Sequence, residues 1–171
     1  VGYNVQWQEA GKWIRENTPE PIITVEEIDG KLEMSYDGPV FAHWWDYGYW
    51  VQTGGERATV TDGGNAKGSL NHMMGRYFLT GQSEIEALEF FKAHNVTHAL
   101  ITNSEIGKYP AFSSIGADDL LDRESRILLF DKDDSLTRER DGNTIYMFTG
   151  KAFLDEDLIY KRDLYARKEA S

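Results

Sequence analysis

The stretch His43-Trp44-Trp45-Asp46-Tyr47-Gly48-Tyr49-Trp50 decides how the rest of the chain is read. Five of its eight residues are Trp or Tyr, and one carboxylate stands among them. A buried indole N–H must find an acceptor, so two adjacent Trp followed by Asp and Gly are costly as mere filler. The apolar run behind Pro39 predicts a short buried strand over residues 40–44. That strand would project the aromatic residues into a loop held by a rigid scaffold. Such a loop can offer a flat aromatic wall and one hydrogen-bond acceptor to a small polar ligand.

Working outward, Trp7, Ala10, Trp13 and Ile14 repeat at helical spacing until Asn17-Thr18-Pro19 stops them, and the two Trp are expected in the core. Residues 22–28 and 31–36 read as strands joined by the hairpin turn Asp29-Gly30. Beyond the aromatic stretch, Thr53-Gly54-Gly55 breaks the chain, residues 57–61 suit a strand, and Asp62-Gly63-Gly64-Asn65 makes a turn. Leu70, Met73, Met74 and Tyr77 mark a helix ending near Gly81. Ser83 caps the next helix, with Glu86 completing a capping box and Ile85, Leu88 and Phe91 on the expected core face, Phe90 beside them.

Residues 97–102 form a further short strand, and Asn103-Ser104 opens a helical turn that Pro110 kinks or ends. Residues 117–123 are expected exposed. Strands are expected over residues 126–130 and 144–148, flanking a charged turn at 131–142. From Asp155 acids precede bases, which suits a terminal helix, with a strand over 158–160 as the alternative. Helices packed with a few short strands make this a mixed α/β (α+β) chain, read as one compact domain over residues 1–171.

Composition bounds the function. Eighteen Lys and Arg against 29 Asp and Glu give a net charge of −11, which argues against nucleic-acid binding and against anionic membrane surfaces. No apolar run approaches the roughly 20 residues of a membrane helix. The chain has no initiating Met and no signal pattern, as expected of a processed chain or a fragment of a larger protein. Without Cys there is no thiolate chemistry. No Gly-x-Ser-x-Gly elbow is present, and His43, His72, His94 and His98 have no surroundings that assemble a triad. His94 and His98 are four apart, a metal-pair spacing, but Val96-Thr97 places a helix end between them. The segment from Asp62 to Gly68 hints at a phosphate loop without its spacing, and reads as a turn bordering the aromatic cleft. Asn95-Val96-Thr97 is a formal glycosylation acceptor leading into a buried strand.

Three readings of Asp46 stay open. It could be the acid of a glycosidase, with Asp62 or Glu105 as the second carboxylate. It could belong to a carbohydrate-binding surface that stacks sugars on Trp44, Trp45 or Trp50. It could also simply fix the loop.

The five residues Trp44-Trp45-Asp46-Tyr47-Gly48 spell WWDYG. With their flanks, Asn17-Thr18-Pro19 before and residues 57–65 after, they resemble the catalytic subunits of oligosaccharyltransferases, AglB, PglB and their eukaryotic relatives. The chain looks most like the C-terminal soluble domain of a short archaeal AglB. The resemblance implies a peptide-recognition role: Trp44, Trp45, Asp46, Tyr47 and Gly48 would form a pocket for the Ser/Thr of an Asn-x-Ser/Thr acceptor polypeptide. A second family motif is matched by Glu105-Ile106-Gly107-Lys108-Tyr109-Pro110-Ala111-Phe112, with Glu for the usual Asp and Phe112 for Met or Ile. It adds Lys108 to the pocket, with Glu105 and Phe112 as further candidates. The same resemblance places catalysis, a Mn or Mg ion and the lipid-linked oligosaccharide in a membrane region outside these residues. It implies no metal or cofactor in this domain, and a position on the extracellular face of a cell membrane.

Overall fold

The computed structural model describes residues 2–125, 131–149, 158–160 and 163–165. They fall into two compact units, residues 1–126 and 127–171. The secondary structure is mixed α/β, as the pattern predicts.

The first unit is built on a three-stranded parallel sheet in the order β4-β3-β5: β3 is Val40–Ala42, β4 Ala58–Thr59 and β5 His98–Ala99. Phe41 and Ala42 are 3% and 0% exposed, as a central strand covered on both faces requires. Parallel neighbours need helical crossovers. Helix α2 (Gly48–Gly54) links β3 to β4, while α3 (Gly68–Met73), its π-helical continuation (Met74–Leu79) and α4 (Glu84–Ala93) link β4 to β5. Helix α5 (Glu105–Gly116) follows β5.

Helix α1 (Val5–Asn17) precedes the sheet, capped by the Asn4 side chain on the Trp7 N–H. Its Gly11 meets Gly54 of α2 so closely that a Cβ there would lie 2.7 Å from the Gly54 carbonyl oxygen. The π-helical turn and α5 cross in the same way at Gly75 and Gly116. Between α1 and β3 stands the expected hairpin, β1 (Ile22–Ile28) and β2 (Lys31–Asp37). Asp29 and Gly30 both take positive φ (54° and 76°), as a two-residue turn matching the strand twist demands.

Several expectations are corrected. The strand at 40–44 ends at Ala42, because the Trp44 carbonyl accepts from the Tyr47 N–H (3.2 Å) and starts a 3-10 turn, Trp45–Tyr47. The aromatic stretch is therefore that turn plus α2, not an open loop. The strand at 57–61 shrinks to two residues, since the Thr61 hydroxyl donates to the His43 carbonyl (3.0 Å). The strand at 97–102 shrinks likewise, because the Thr102 N–H turns to Glu105. Trp13 is 57% exposed on the outer face of α1, whereas Trp7 packs inward. On α4, Phe90 is buried while Ile85 and Leu88 are exposed, because Phe90 and Phe91 pack on Tyr77 and Phe78. Helix α5 runs through Pro110 to Gly116, held by burial of Phe112 and the Gly75–Gly116 crossing. Arg123, in the segment expected exposed, is buried against Glu86 and Asp122.

In the second unit the expected charged turn is a strand. β6 (Asp131–Arg140) pairs with β7 (Asn143–Thr149) around Asp141-Gly142, again with positive φ at both residues (54° and 77°). β8 (Leu158–Tyr160) and β9 (Asp163–Tyr165) pair antiparallel, so over these residues the alternative strand at 158–160 forms in place of the terminal helix. The strand expected at 126–130 lies outside the described residues, as does the rest of the terminal segment.

Candidate functional site

All three parallel strands of the first unit send their carboxyl ends toward chemistry-bearing segments. The turn Trp44–Tyr47 follows β3, Thr61-Asp62 follows β4, and Thr102-Asn103-Ser104 follows β5. Ligand clefts in open α/β sheets form at this edge.

Within the aromatic turn, burial divides the residues. Trp44 is 2% exposed, packed edge-on against Phe112 (5.7 Å, 62°) and against Trp45 (6.4 Å). Tyr47 is 1% exposed, stacked on Trp7 at 5.1 Å. Gly48 is buried because a Cβ there would lie 2.3 Å from the Asp62 Cα, so the start of α2 lies directly on the 61–62 turn. Trp45 and Asp46 are only half-buried. Trp50 packs on Tyr3, Trp7 and Tyr47. With Trp44 and Trp50 so engaged, Trp45 is the ring of the three best placed to face a ligand.

Asp46 does not stand alone. Lys108, on the second turn of α5 and 62 residues away in sequence, donates from Nζ to Asp46 Oδ2; both side chains are 25% exposed. The same ammonium donates to the Tyr47 hydroxyl (3.1 Å) and lies 4.5 Å from the centre of its ring. Burial pulls the Lys108 pKa down, but the hydrogen bonds to Asp46 and Tyr47 outweigh it, and the net shift is upward. The ammonium is therefore firmly charged at neutral pH, beside the Asp46 carboxylate and the Tyr47 ring.

Behind Lys108 lies a cluster of hydroxyls. Tyr47 OH is 2.7 Å from Ser104 Oγ and 3.0 Å from Thr102 Oγ1, and the last two are 2.6 Å apart. Glu105 Oε2 accepts from both the Thr102 N–H (2.7 Å) and the Thr102 hydroxyl (2.6 Å). Glu105 is 6% exposed, and its Oε1 is buried with no partner among the described residues. Sequence reasoning missed Thr102 and Ser104, yet Thr102-x-x-Glu105 has the capping-box spacing that marks a helix start. Thr102 and Ser104 also line a groove of about 470 Å³ beside Trp7, Leu100 and Ile101.

Two buried groups outside the pocket were also unforeseen. His43 is fully buried. Its Nδ1 bonds the Trp44 carbonyl (2.8 Å) and its Nε2 has no partner among the described residues. Burial lowers its pKa against the opposing pull of that bond and of the Asp62 charge, so the ring is neutral at pH 7. Arg57, 5% exposed, caps the ends of α1 and α2 with hydrogen bonds to the carbonyls of Arg15, Thr18, Gly55 and Glu56 and to the Thr18 hydroxyl.

The remaining candidates go elsewhere. Asp62 accepts from Gln52 Nε2 (3.2 Å) and the Gly64 N–H (2.9 Å). His94 bonds the Phe90 carbonyl (3.0 Å), whereas His98 bonds Thr97 and stacks on Phe41. Among the described residues no group of three or more His, Asp or Glu side chains could hold a metal ion. No described helix is long and apolar enough to cross a membrane.

Comparison with known proteins covers this same region. The AglB core domain family model matches residues 4–106, which include the aromatic turn, Thr102, Ser104 and Glu105 and end two residues before Lys108. The chain is 30% identical over 112 residues to a dolichyl-phosphooligosaccharide-protein glycotransferase 1 of Pyrococcus furiosus, covering 64% of this chain and 10% of that protein. To the protein of the same name from Pyrococcus horikoshii it is 27% identical over 112 residues, covering 64% and 9%. The chain thus spans about a tenth of the length of these curated relatives.

Proposed function

The chain belongs to the AglB core domain family, and on that premise we propose that it is the acceptor-recognition domain of an oligosaccharyltransferase. The whole enzyme transfers a lipid-linked oligosaccharide to the Asn of Asn-x-Ser/Thr, and this domain selects the Ser/Thr. The remainder of the enzyme, with its divalent ion and lipid-carrier site, lies in a membrane region, and this domain faces the exterior. Alone, the domain transfers no sugar.

The observation that carries the reading is the Asp46–Lys108 pair, next in the chain to the half-buried Trp45. A hydroxyl both donates and accepts. Asp46 takes its proton, Lys108 donates to its oxygen, and Trp45 packs the methyl that distinguishes Thr from Ser. Trp44, Tyr47 and Phe112 back this surface from the core. A buried methyl contributes about 0.8 kcal/mol, which corresponds to roughly a fourfold preference for Thr. A residue without a hydroxyl covers the Asp46–Lys108 pair and returns no hydrogen bond to either partner, and sites built for a hydroxyl reject such an analogue.

Asp46→Ala in the full-length enzyme is expected to lower kcat/KM for an Asn-x-Thr peptide by about 10–100-fold, from the ~1.5–3 kcal/mol of a hydrogen bond to a charged group. Normal turnover by that variant refutes the reading. Titration of the domain with free oligosaccharide separates it from sugar binding, since saturable binding that survives loss of Asp46 points to a carbohydrate module.

A further inference from the structure

We propose that Thr102 is a positioning residue for the Ser/Thr pocket: it ties the Lys108 ammonium to the buried Glu105 carboxylate through a one-way chain of hydroxyls. The inference rests on the hydroxyl-pocket reading and deepens it.

Counting protons sets the direction of the chain. A carboxylate only accepts, an ammonium only donates, and each hydroxyl has one proton to give. Glu105 Oε2 takes the Thr102 proton at 2.6 Å. The single Thr102 proton is thus spent on the carboxylate rather than on the Tyr47 oxygen at 3.0 Å, and Thr102 Oγ1 is left to accept from Ser104 Oγ at 2.6 Å. At the other end Lys108 donates to the Tyr47 oxygen at 3.1 Å. The Tyr47 proton then runs to Ser104 at 2.7 Å, and the Ser104 proton to Thr102. The chain points one way, from Lys108 through Tyr47, Ser104 and Thr102 to Glu105. Thr102 is the last step before the carboxylate.

The direction matters because the Tyr47 oxygen must present a lone pair to Lys108. That lone pair and Asp46 together fix the ammonium. Without the Thr102 hydroxyl, Glu105 Oε2 keeps only the Thr102 N–H, while its Oε1 is already bare. Tyr47 is then free to turn its proton elsewhere, and Lys108 loses its second anchor. Glu105 and Lys108 stand three apart on one helix, yet the chain joins them without a direct ion pair.

The test is steady-state kinetics of the full-length enzyme with Asn-x-Thr and Asn-x-Ser peptides. Thr102→Val, which keeps the shape and removes the hydroxyl, is expected to raise the acceptor KM about tenfold at nearly unchanged kcat. Thr102→Ser restores the hydroxyl and is expected within about twofold of the parent. Lys108→Ala alone raises KM, and adding Thr102→Val to it changes nothing further, because the two act through one contact. A native KM for Thr102→Val, or penalties that multiply in the double variant, overturns the positioning role and leaves the pocket reading intact. A native KM for Lys108→Ala overturns the pocket reading itself. Should Thr102→Val melt too low to assay, Glu105→Gln decides: it keeps the volume but can donate where Glu105 accepted, and is expected to raise KM similarly. A native KM for Glu105→Gln then counts against the chain.

Discussion

Replacing Gly48 by Ala sets two physical effects against each other. Gly48 opens α2 with helical dihedrals (φ −54°, ψ −49°). Helix propensity therefore favours Ala there by up to about 1 kcal/mol. Packing argues the other way. The added Cβ would meet Asp62 Cα at 2.3 Å, Asp62 Cβ at 2.6 Å and the Thr61 carbonyl oxygen at 2.7 Å. Carbon atoms rest at about 3.5–4.0 Å, so a gap of roughly 1.2 Å or more must open between two stretches of chain, mostly backbone that cannot rotate aside. Overpacking of this kind costs about 1–3 kcal/mol, and a net loss of about 1–2 kcal/mol is expected. The assay is thermal and urea unfolding, with Gly107→Ala as the companion variant. Gly107 lies inside α5 with nothing within 4 Å of the place a Cβ would take, so its replacement is expected to stabilise by about 0.5–1 kcal/mol. In a chain of this size each kcal/mol moves Tm by about 2–4 °C. The two variants should therefore move in opposite directions. If Gly48→Ala melts at or above the parent, the close seating of α2 on the 61–62 turn is not what requires glycine, and the packing account is refuted.

Two further outcomes follow from buried groups. Arg57→Lys cannot reproduce five hydrogen bonds to two helix ends, and is expected to lower unfolding free energy by about 2–4 kcal/mol; a loss below about 0.5 kcal/mol in urea titrations refutes the capping role. His43 has a folded pKa below its ordinary value of 6.5, so the unfolded chain binds the proton first as pH falls. Its contribution is complete above about pH 6.5 and declines below it, down to the folded pKa. The urea midpoint of the parent should therefore fall more between pH 7.5 and 5.5 than that of His43→Gln, and equal slopes exclude His43 as the source.

What the sequence disclosed was mostly local. Asp29-Gly30 named its own turn, and Ser83 capped α4 on the Glu86 N–H (3.3 Å) as its spacing foretold. The Glu86 carboxylate reaches back one residue further than a capping box predicts, to the Gln82 N–H. Asp141-Gly142 carried the same turn signal but was hidden among charges, because an exposed strand such as β6 needs no apolar alternation. The site was legible as a motif and not as an arrangement. Nothing near Asp46 in sequence announces Lys108 as its partner, and only the β3–β5 pairing brings the segments that follow them together. Likewise the two-residue strands β4 and β5 are set by what the next side chains bond, Thr61 to His43 and Thr102 to Glu105, which propensity does not contain. Arg57 read as a strand residue because its five acceptors come from two separate stretches of chain, residues 15–18 and 55–56.

The burial of Trp44, Tyr47 and Gly48 also bears on how substitutions in the WWDYG run are to be interpreted. Those three positions sit in the hydrophobic core, so a change at any of them first alters how much folded protein exists. Selection would hold them in place even in a protein that bound nothing. Asp46 can be altered at the surface without emptying the core, whereas the half-buried Trp45 also packs against Trp44 and the core cluster. Loss of function in a Trp44 variant is thus a statement about abundance until the amount of folded protein is measured, whereas the same loss at Asp46 speaks directly about the ligand. The five letters that look like one signature carry two separate constraints.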